Sequence, residues 1–234
     1  MAADAERYDM EKARSLVADQ ALWPRVRDFL WDFAPQVHGS WLEALDERRE
    51  GHAESSLVSS LSTSPRVKKM ILSSLGIEPF FHDFPRDDWS RLALLDGTTL
   101  ESMARWLGAL ACAEGLRCVT NGAAVRALKA ALPGVYPEVF SYTAYFAGLD
   151  LAAKNAEAAI RPDDVLLAGL GLLFAQLDAS CPPPLVSRLK FKFPSSLVSC
   201  LPEERREARD ARCAAAMKKL LKLKFPEAYS LCCS

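Results

Sequence analysis

Asp163-Asp164-Val165-Leu166-Leu167-Ala168-Gly169-Leu170-Gly171-Leu172-Leu173-Phe174-Ala175-Gln176-Leu177 is the stretch on which the fold turns. Two carboxylates lead it, where they favour the positive N-terminal end of a helix. The residues from Val165 to Leu177 are apolar on every side of a helical wheel, and such a helix is one that others bury. Its unbroken apolar run, Val165 to Ala175, is eleven residues, well short of the roughly 20 that cross a bilayer. The stretch predicts the buried central helix of an all-α protein.

Upstream, Pro24 suits the first turn of a helix whose Val26, Phe29, Leu30 and Phe33 share one face; Pro35 stops it. Ser40 and Glu43 predict a capping box that opens a helix through Trp41, Leu42 and Leu45. Ser64, Pro65 and Gly76 bracket a third helix carrying Val67, Met70, Ile71 and Leu75. Residues 76–88, rich in Phe and broken by Pro, predict a packed irregular connection. Thr98 and Glu101 predict a second capping box, opening a helix through Leu100, Met103, Leu107 and Leu110 that ends or bends at Gly115. Residues 121–132 form the next helix, closed by Pro133-Gly134, and Pro137 begins an aromatic-rich one.

Cys181-Pro182-Pro183-Pro184 is the sharpest break in the chain. Beyond it, Leu189-Lys190-Phe191-Lys192-Phe193 alternates with period two and predicts an extended piece, at most one short strand or hairpin near 186–193. A lone strand makes no sheet, so the class stays α. Residues 203–224 predict one long helix, acidic at its start and basic at its end, terminated by Pro226. A single helical domain over 1–234 is expected, with residues 1–10 loose and 51–64 a surface loop. Neither a solenoid repeat nor a sustained heptad occurs.

Half the 234 residues are apolar and a quarter charged, the balance of an ordinary soluble globular protein. The net charge of −1 conceals a division. Residues 185–224 hold eleven Lys and Arg against four Asp and Glu, a balance of +7, and the remainder carries −8. That polarity suits an acidic partner, with Lys218, Lys219 and Lys222 as the candidate interface. The first residues include acids and no apolar run, so no signal peptide is expected.

The chemistry-bearing residues form no catalytic pattern. Gly169 and Gly171 give G-x-G without a preceding strand or a third glycine, so close helix approach is the better account. Seven cysteines include no C-x-x-C pair and no neighbouring His, which points to reduced, mostly buried thiols in a reducing compartment and to no metal site. Of three histidines, His38 precedes a helix it can cap and pack, while His82 beside Asp83 has no evident nucleophile. With a pI near 6.3 the chain lacks the strong basic excess of nucleic-acid binders.

Three blocks carry a resemblance. His38-Gly39-Ser40-Trp41-Leu42 is the first. The second runs from Trp106-Leu107-Gly108-Ala109-Leu110 through Ala113-Glu114-Gly115-Leu116-Arg117-Cys118 to Ala127-Leu128. The third joins Gly169-Leu170-Gly171 to Arg188-Leu189-Lys190-Phe191-Lys192-Phe193-Pro194 and a basic helix over 217–225. In order and spacing they resemble the YscK/SctK family of type III secretion sorting-platform proteins. Gly39 stands where the family has proline, one arginine is missing before Cys118, and residues 55–88 match nothing in the family that can be placed from these blocks. The resemblance implies a non-enzymatic, cofactor-free adaptor at the cytoplasmic face of the inner membrane. It would link the inner-membrane ring protein's cytoplasmic domain to the cytoplasmic pods, with no nucleic acid bound, no membrane insertion and a monomeric state in isolation. The alternatives are a helical regulatory or nucleic-acid-binding protein, and a small enzyme using His82 and Asp83.

Thiol titration of the denatured, unreduced protein is expected to return all seven cysteines, and elemental analysis no stoichiometric zinc. A native disulfide or a bound zinc would overturn the reading of the compartment.

Overall fold

The computed structural model describes residues 14, 17, 19–47, 64–78, 80–86, 88–146, 160–201 and 211–233. The expected loose segment 1–10 and all of the expected loop 51–64 except Ser64 lie outside them, as do residues 203–210 of the expected C-terminal helix. Among the described residues the regular structure is helical throughout, with no strand. The helices are α1 (Trp23–Leu30), α2 (Gly39–Glu47), α3 (Pro65–Ser74), α4 (Gly97–Ala111), α5 (Ala113–Arg117), α6 (Gly122–Ala131), α7 (Pro162–Ser180), α8 (Pro183–Lys190), α9 (Ser195–Ser199), α10 (Ala211–Lys224) and α11 (Pro226–Cys233). Short 3-10 turns join several of them. The chain divides into two compact units, one formed by Met1–Gly97, Cys181–Ser199 and Ser230–Ser234, the other by Thr98–Ser180 and Cys200–Tyr229.

In the second unit α7 is the centre, with α6 and α10 packed on it. Val165, Leu166, Gly169, Leu170, Leu172, Leu173, Phe174 and Leu177 are buried along it. Its crossing with α4 is set by glycine against glycine. A Cβ at Gly108 would overlap the Val165 carbonyl, and one at Gly169 would overlap that of Ala104 and lie 2.8 Å from the Gly108 nitrogen. Backbone meets backbone there, so no side chain fits. Gly171 has open space instead; of the two glycines, only the first serves close approach. The turn expected at Gly115 comes earlier, at Cys112, where α4 ends and α5 begins. Asn121 caps α6, its Oδ1 accepting from the Ala123 nitrogen at 2.8 Å, as such a residue does for the orphan amides of a first turn. The aromatic helix expected from Pro137 is two 3-10 turns, Glu138–Ser141 and Thr143–Phe146.

The first unit is organised around three buried cations. Pro182-Pro183-Pro184 initiates α8 rather than leading into extended chain, because proline's fixed φ fits the first helical turn. This corrects the extended reading of 186–193. Leu185, Val186 and Leu189 bury one helical stripe, and the apparent alternation misleads because Arg188 and Lys192 are buried as deeply as Leu189 and Phe193. The guanidinium of Arg188 donates from Nη1 to the Phe29 and Leu30 carbonyls, both at 2.8 Å, and from Nη2 to that of Glu78 at 2.9 Å. Two of these are C-terminal carbonyls of α1, where cations are favoured. Phe80 stacks 4.8 Å below the same group. Lys192 donates to Ala93 at 2.7 Å and Leu95 at 2.6 Å, closing the end of the 3-10 turn Trp89–Leu94, with the Phe29 ring at 5.1 Å. Arg91 reaches the Pro85 carbonyl at 2.8 Å and that of Leu231 at 3.1 Å.

These bonds hold the irregular connection 76–88 in place. Phe84 occupies the left-handed region at φ 48 although fully buried, a conformation that costs a non-glycine residue about 1–2 kcal/mol. Edge contacts from Phe29 at 5.9 Å and His82 at 4.8 Å fix its ring. The capping box expected at Ser40 is replaced by another arrangement. His38 Nδ1 accepts from the Ser40 nitrogen at 3.2 Å, so the imidazole supplies the cap, and the Ser40 hydroxyl instead accepts from the Ser195 nitrogen at 2.9 Å. Pro226 likewise starts a helix, α11, one residue after α10 ends.

Burial lowers Arg188 to about 10, which leaves it charged at neutral pH, and lowers Lys192 to about 7, with Asp96 opposing the shift. A neutral amine keeps two N–H donors, enough for both carbonyls. Between about pH 7 and the ordinary lysine range, the unfolded chain binds a proton at this position that the native protein does not, so stability due to Lys192 rises with pH there and is flat below 7. The stability difference between the wild type and Lys192→Met is expected to change across that window by up to about 1.4 kcal/mol per pH unit and not below it; urea unfolding at several pH values measures this. Arg188→Met is expected to cost roughly 3 kcal/mol or more, since it leaves three carbonyls without a donor. Arg188→Lys should recover little, because an ammonium lacks the planar fork that reaches α1 and Glu78 together. Cutting Leu170 to alanine should cost about 2–5 kcal/mol.

Candidate functional site

Helix α10 carries the three lysines that charge patterning selects. Its Ala216, Met217, Leu220 and Leu221 are buried in the second unit, which turns Lys218, Lys219 and Lys222 outward, all exposed. Leu223 is on the outer side as well, at 48% exposure, and with Phe81 is one of two large exposed hydrophobic side chains among the described residues. The sequence singles out the lysines by charge but not Leu223, since a leucine in a C-terminal helix is ordinarily assigned to the core. Seven residues after the buried Ala216, Leu223 falls within about 20° of it on a helical wheel, so periodicity does not mark it as exposed.

Two cations fix this helix in its seat. Lys224 lies over the rings of Tyr142 at 4.3 Å and Trp106 at 4.5 Å and pairs with the Glu138 carboxylate. Burial works against its charge, but the bonds to Glu138 and Tyr142 outweigh that and raise it above the ordinary lysine value. Trp106 and Tyr142 meet edge to face at 5.6 Å. Lys219 stands 5.7 Å from the Phe146 ring. Cation–π contacts of this kind contribute about 0.5–1 kcal/mol when exposed and more when desolvated.

The +7 of residues 185–224 is therefore not one basic surface. Arg188 and Lys192 are spent inside the first unit, and Lys224 is committed to the Glu138 cage. Residues 205, 206 and 209 lie outside the described residues. What α10 presents outward is Lys218, Lys219 and Lys222 beside Leu223.

No catalytic arrangement forms around the other candidates among the described residues. His82 is half-buried against Phe84, its Nε2 without a hydrogen-bond partner among the described residues, and Asp83 is exposed. No group of three His, Cys, Asp or Glu is placed to hold a metal among the described residues. Cys112, Cys181 and Cys232 are buried, while Cys118 and Cys200 are exposed. Burial raises the thiol pKa of both Cys112 and Cys232, which disfavours the reactive thiolate.

The sequence blocks that carry the resemblance meet in space. In the first unit, Trp41 donates from Nε1 to the Phe193 carbonyl at 2.8 Å and sets its ring 4.9 Å from that of Phe191. The Phe191 carbonyl accepts from the His38 nitrogen at 2.8 Å. The block at 38–42 is thus the receptor for the block at 188–195, some 150 residues later in the chain. In the second unit, Gly108 of the middle block is the residue against which Gly169 closes.

No helix of the described residues is long and apolar enough to cross a membrane. Comparison with curated proteins and with solved structures returns no match. Residues 52–232, more than three quarters of the chain, match the family model described as YOP proteins translocation protein K, YscK. Since the matched span takes in two of the three blocks and their partners α4, α7, α8 and α10, the chain belongs to the YscK family and is a type III secretion protein.

Proposed function

We propose that the chain is a non-enzymatic structural adaptor of the injectisome sorting platform, joining the cytoplasmic domain of the inner-membrane ring protein to the cytoplasmic pods. The observation that carries this is the division of labour among its polar residues. Arg91, Arg188, Lys192, Lys224 and Trp41 are spent on carbonyls and rings inside the fold, while Lys218, Lys219 and Lys222 of α10 remain at the surface. Buried polar groups that hold loops in place suit a structural role between partners. The same facts disfavour the nucleic-acid reading, because three cations of the basic segment are unavailable to phosphates. The protein acts at the cytoplasmic face of the inner membrane, where the ring's cytoplasmic domain and the pods are found.

The triple variant Lys218→Glu, Lys219→Glu, Lys222→Glu tests this. Acids near a helix C-terminus cost about 0.3–1 kcal/mol each, so the variant is expected to fold, with a melting temperature lowered by only a few degrees. Pull-down of the ring and pod proteins should fall sharply, and secretion with it. A variant that melts normally and still captures both partners and secretes at the wild-type level would transfer the interface to the acidic remainder of the surface.

A further inference from the structure

We propose that the outer face of α10, built from Lys218, Lys222 and Leu223, docks an amphipathic helix of a partner protein that presents a pair of acidic residues beside an apolar one. The proposal rests on the adaptor reading and narrows it, naming the residues that make contact and the chemistry they select.

Lys218 and Lys222 are one turn apart and therefore neighbours on the helix surface. Both are exposed. Leu223 lies about 100° further round than Lys222, leaving an apolar side chain nearly half exposed beside the pair. Lys219 adjoins it, but its ammonium is at the Phe146 ring, and Lys224 is held by Glu138, Tyr142 and Trp106. Of the three exposed lysines of α10, Lys219 leans to the Phe146 ring, while Lys218 and Lys222 make up the outward pair. An occupant complementary to the outward pair carries Asp or Glu at a spacing of three or four, with an apolar residue placed to cover Leu223. A helix-on-helix contact of this kind joins one apolar anchor to adjacent charges that set register and orientation.

A lipid surface fits less well. An interfacial helix needs a broad apolar face, and the broad apolar face of α10 (Ala216, Met217, Leu220, Leu221) is already buried in its own unit. A phosphate backbone would be met by the two lysines, but it offers nothing apolar to Leu223.

The experiment places p-benzoylphenylalanine at position 223 of the full chain in the secreting bacterium, followed by irradiation and mass spectrometry of the attached peptide. The expected product joins position 223 to a helical segment of a secretion-apparatus protein with a pair of Asp or Glu beside an apolar residue. Lys218→Glu with Lys222→Glu should lower the yield at least tenfold, and reversing the partner's acids to lysine should restore it. If that pair of reversals lowers the melting temperature by more than a few degrees, Lys218→Gln with Lys222→Gln, which keeps side-chain length and removes only charge, is expected to lower the yield by a smaller factor in the same direction. Attachment to lipid or nucleic acid, attachment to a segment without acids, or a yield indifferent to both pairs of substitutions overturns the proposal. Attachment to an acidic helix of a protein outside the secretion apparatus upholds the docking face and sinks the adaptor reading. Ring and pod capture without any attachment at 223 does the reverse.

Discussion

A guanidinium that is 2% exposed and meets no carboxylate among the described residues must be solvated by the protein itself, and the first unit is arranged to do so at Arg188. Three carbonyls from two separate segments, and the faces of Phe29, Phe33 and Phe80, take the place of water. The carbonyls come from the end of α1 and from the connection after α3. Lys192, one turn later, does the same for the end of the 3-10 turn at 89–94. An isolated buried charge is expensive, yet each of these neutralises carbonyl ends that would otherwise be unsatisfied. That exchange lets an irregular connection of a dozen residues, including Phe84 in a left-handed conformation, sit within a helical protein.

The second unit is held by the opposite device, an absence of side chains. Where α4 and α7 cross, Gly108 and Gly169 bring backbone against backbone. An alanine at either position would strike a carbonyl of the facing helix, and two rigid helices cannot yield locally without parting along their length. The buried leucines of α7 then meet α6 and α10 at a separation set by this crossing.

How far all this was legible depended on which physical signal each feature leaves in sequence. The central helix is plain because an apolar run of that length led by two acids has few other solutions. The limits of α3 follow from Ser64, Pro65 and Gly76, and Asn121 announces α6. The segment 186–193 misled because period two was taken as evidence of strand geometry, when burial of Arg188 and Lys192 makes polar positions as internal as their apolar neighbours. Ser40 misled for a related reason: its hydroxyl has two uses, and the long-range bond to Ser195 is invisible from local spacing. At α10 the charge sum overstated the basic surface, since nothing in a count of lysines tells one seated on Trp106 and Tyr142 from one in water. The leucine among them carried no sequence signal at all.

Lys224 also gives the protein an optical property. An ammonium 4.5 Å from the Trp106 indole places a fixed charge beside a chromophore whose excited state redistributes electron density across its two rings. Such a charge shifts the energy of the transition, so the colour of Trp106 emission depends on whether α10 is in its seat. Trp106 is 5% exposed, which shields it from solvent relaxation that would otherwise dominate the signal. The chain therefore contains a built-in spectroscopic gauge of the attachment of its own basic helix, readable without any label once the other four tryptophans are replaced.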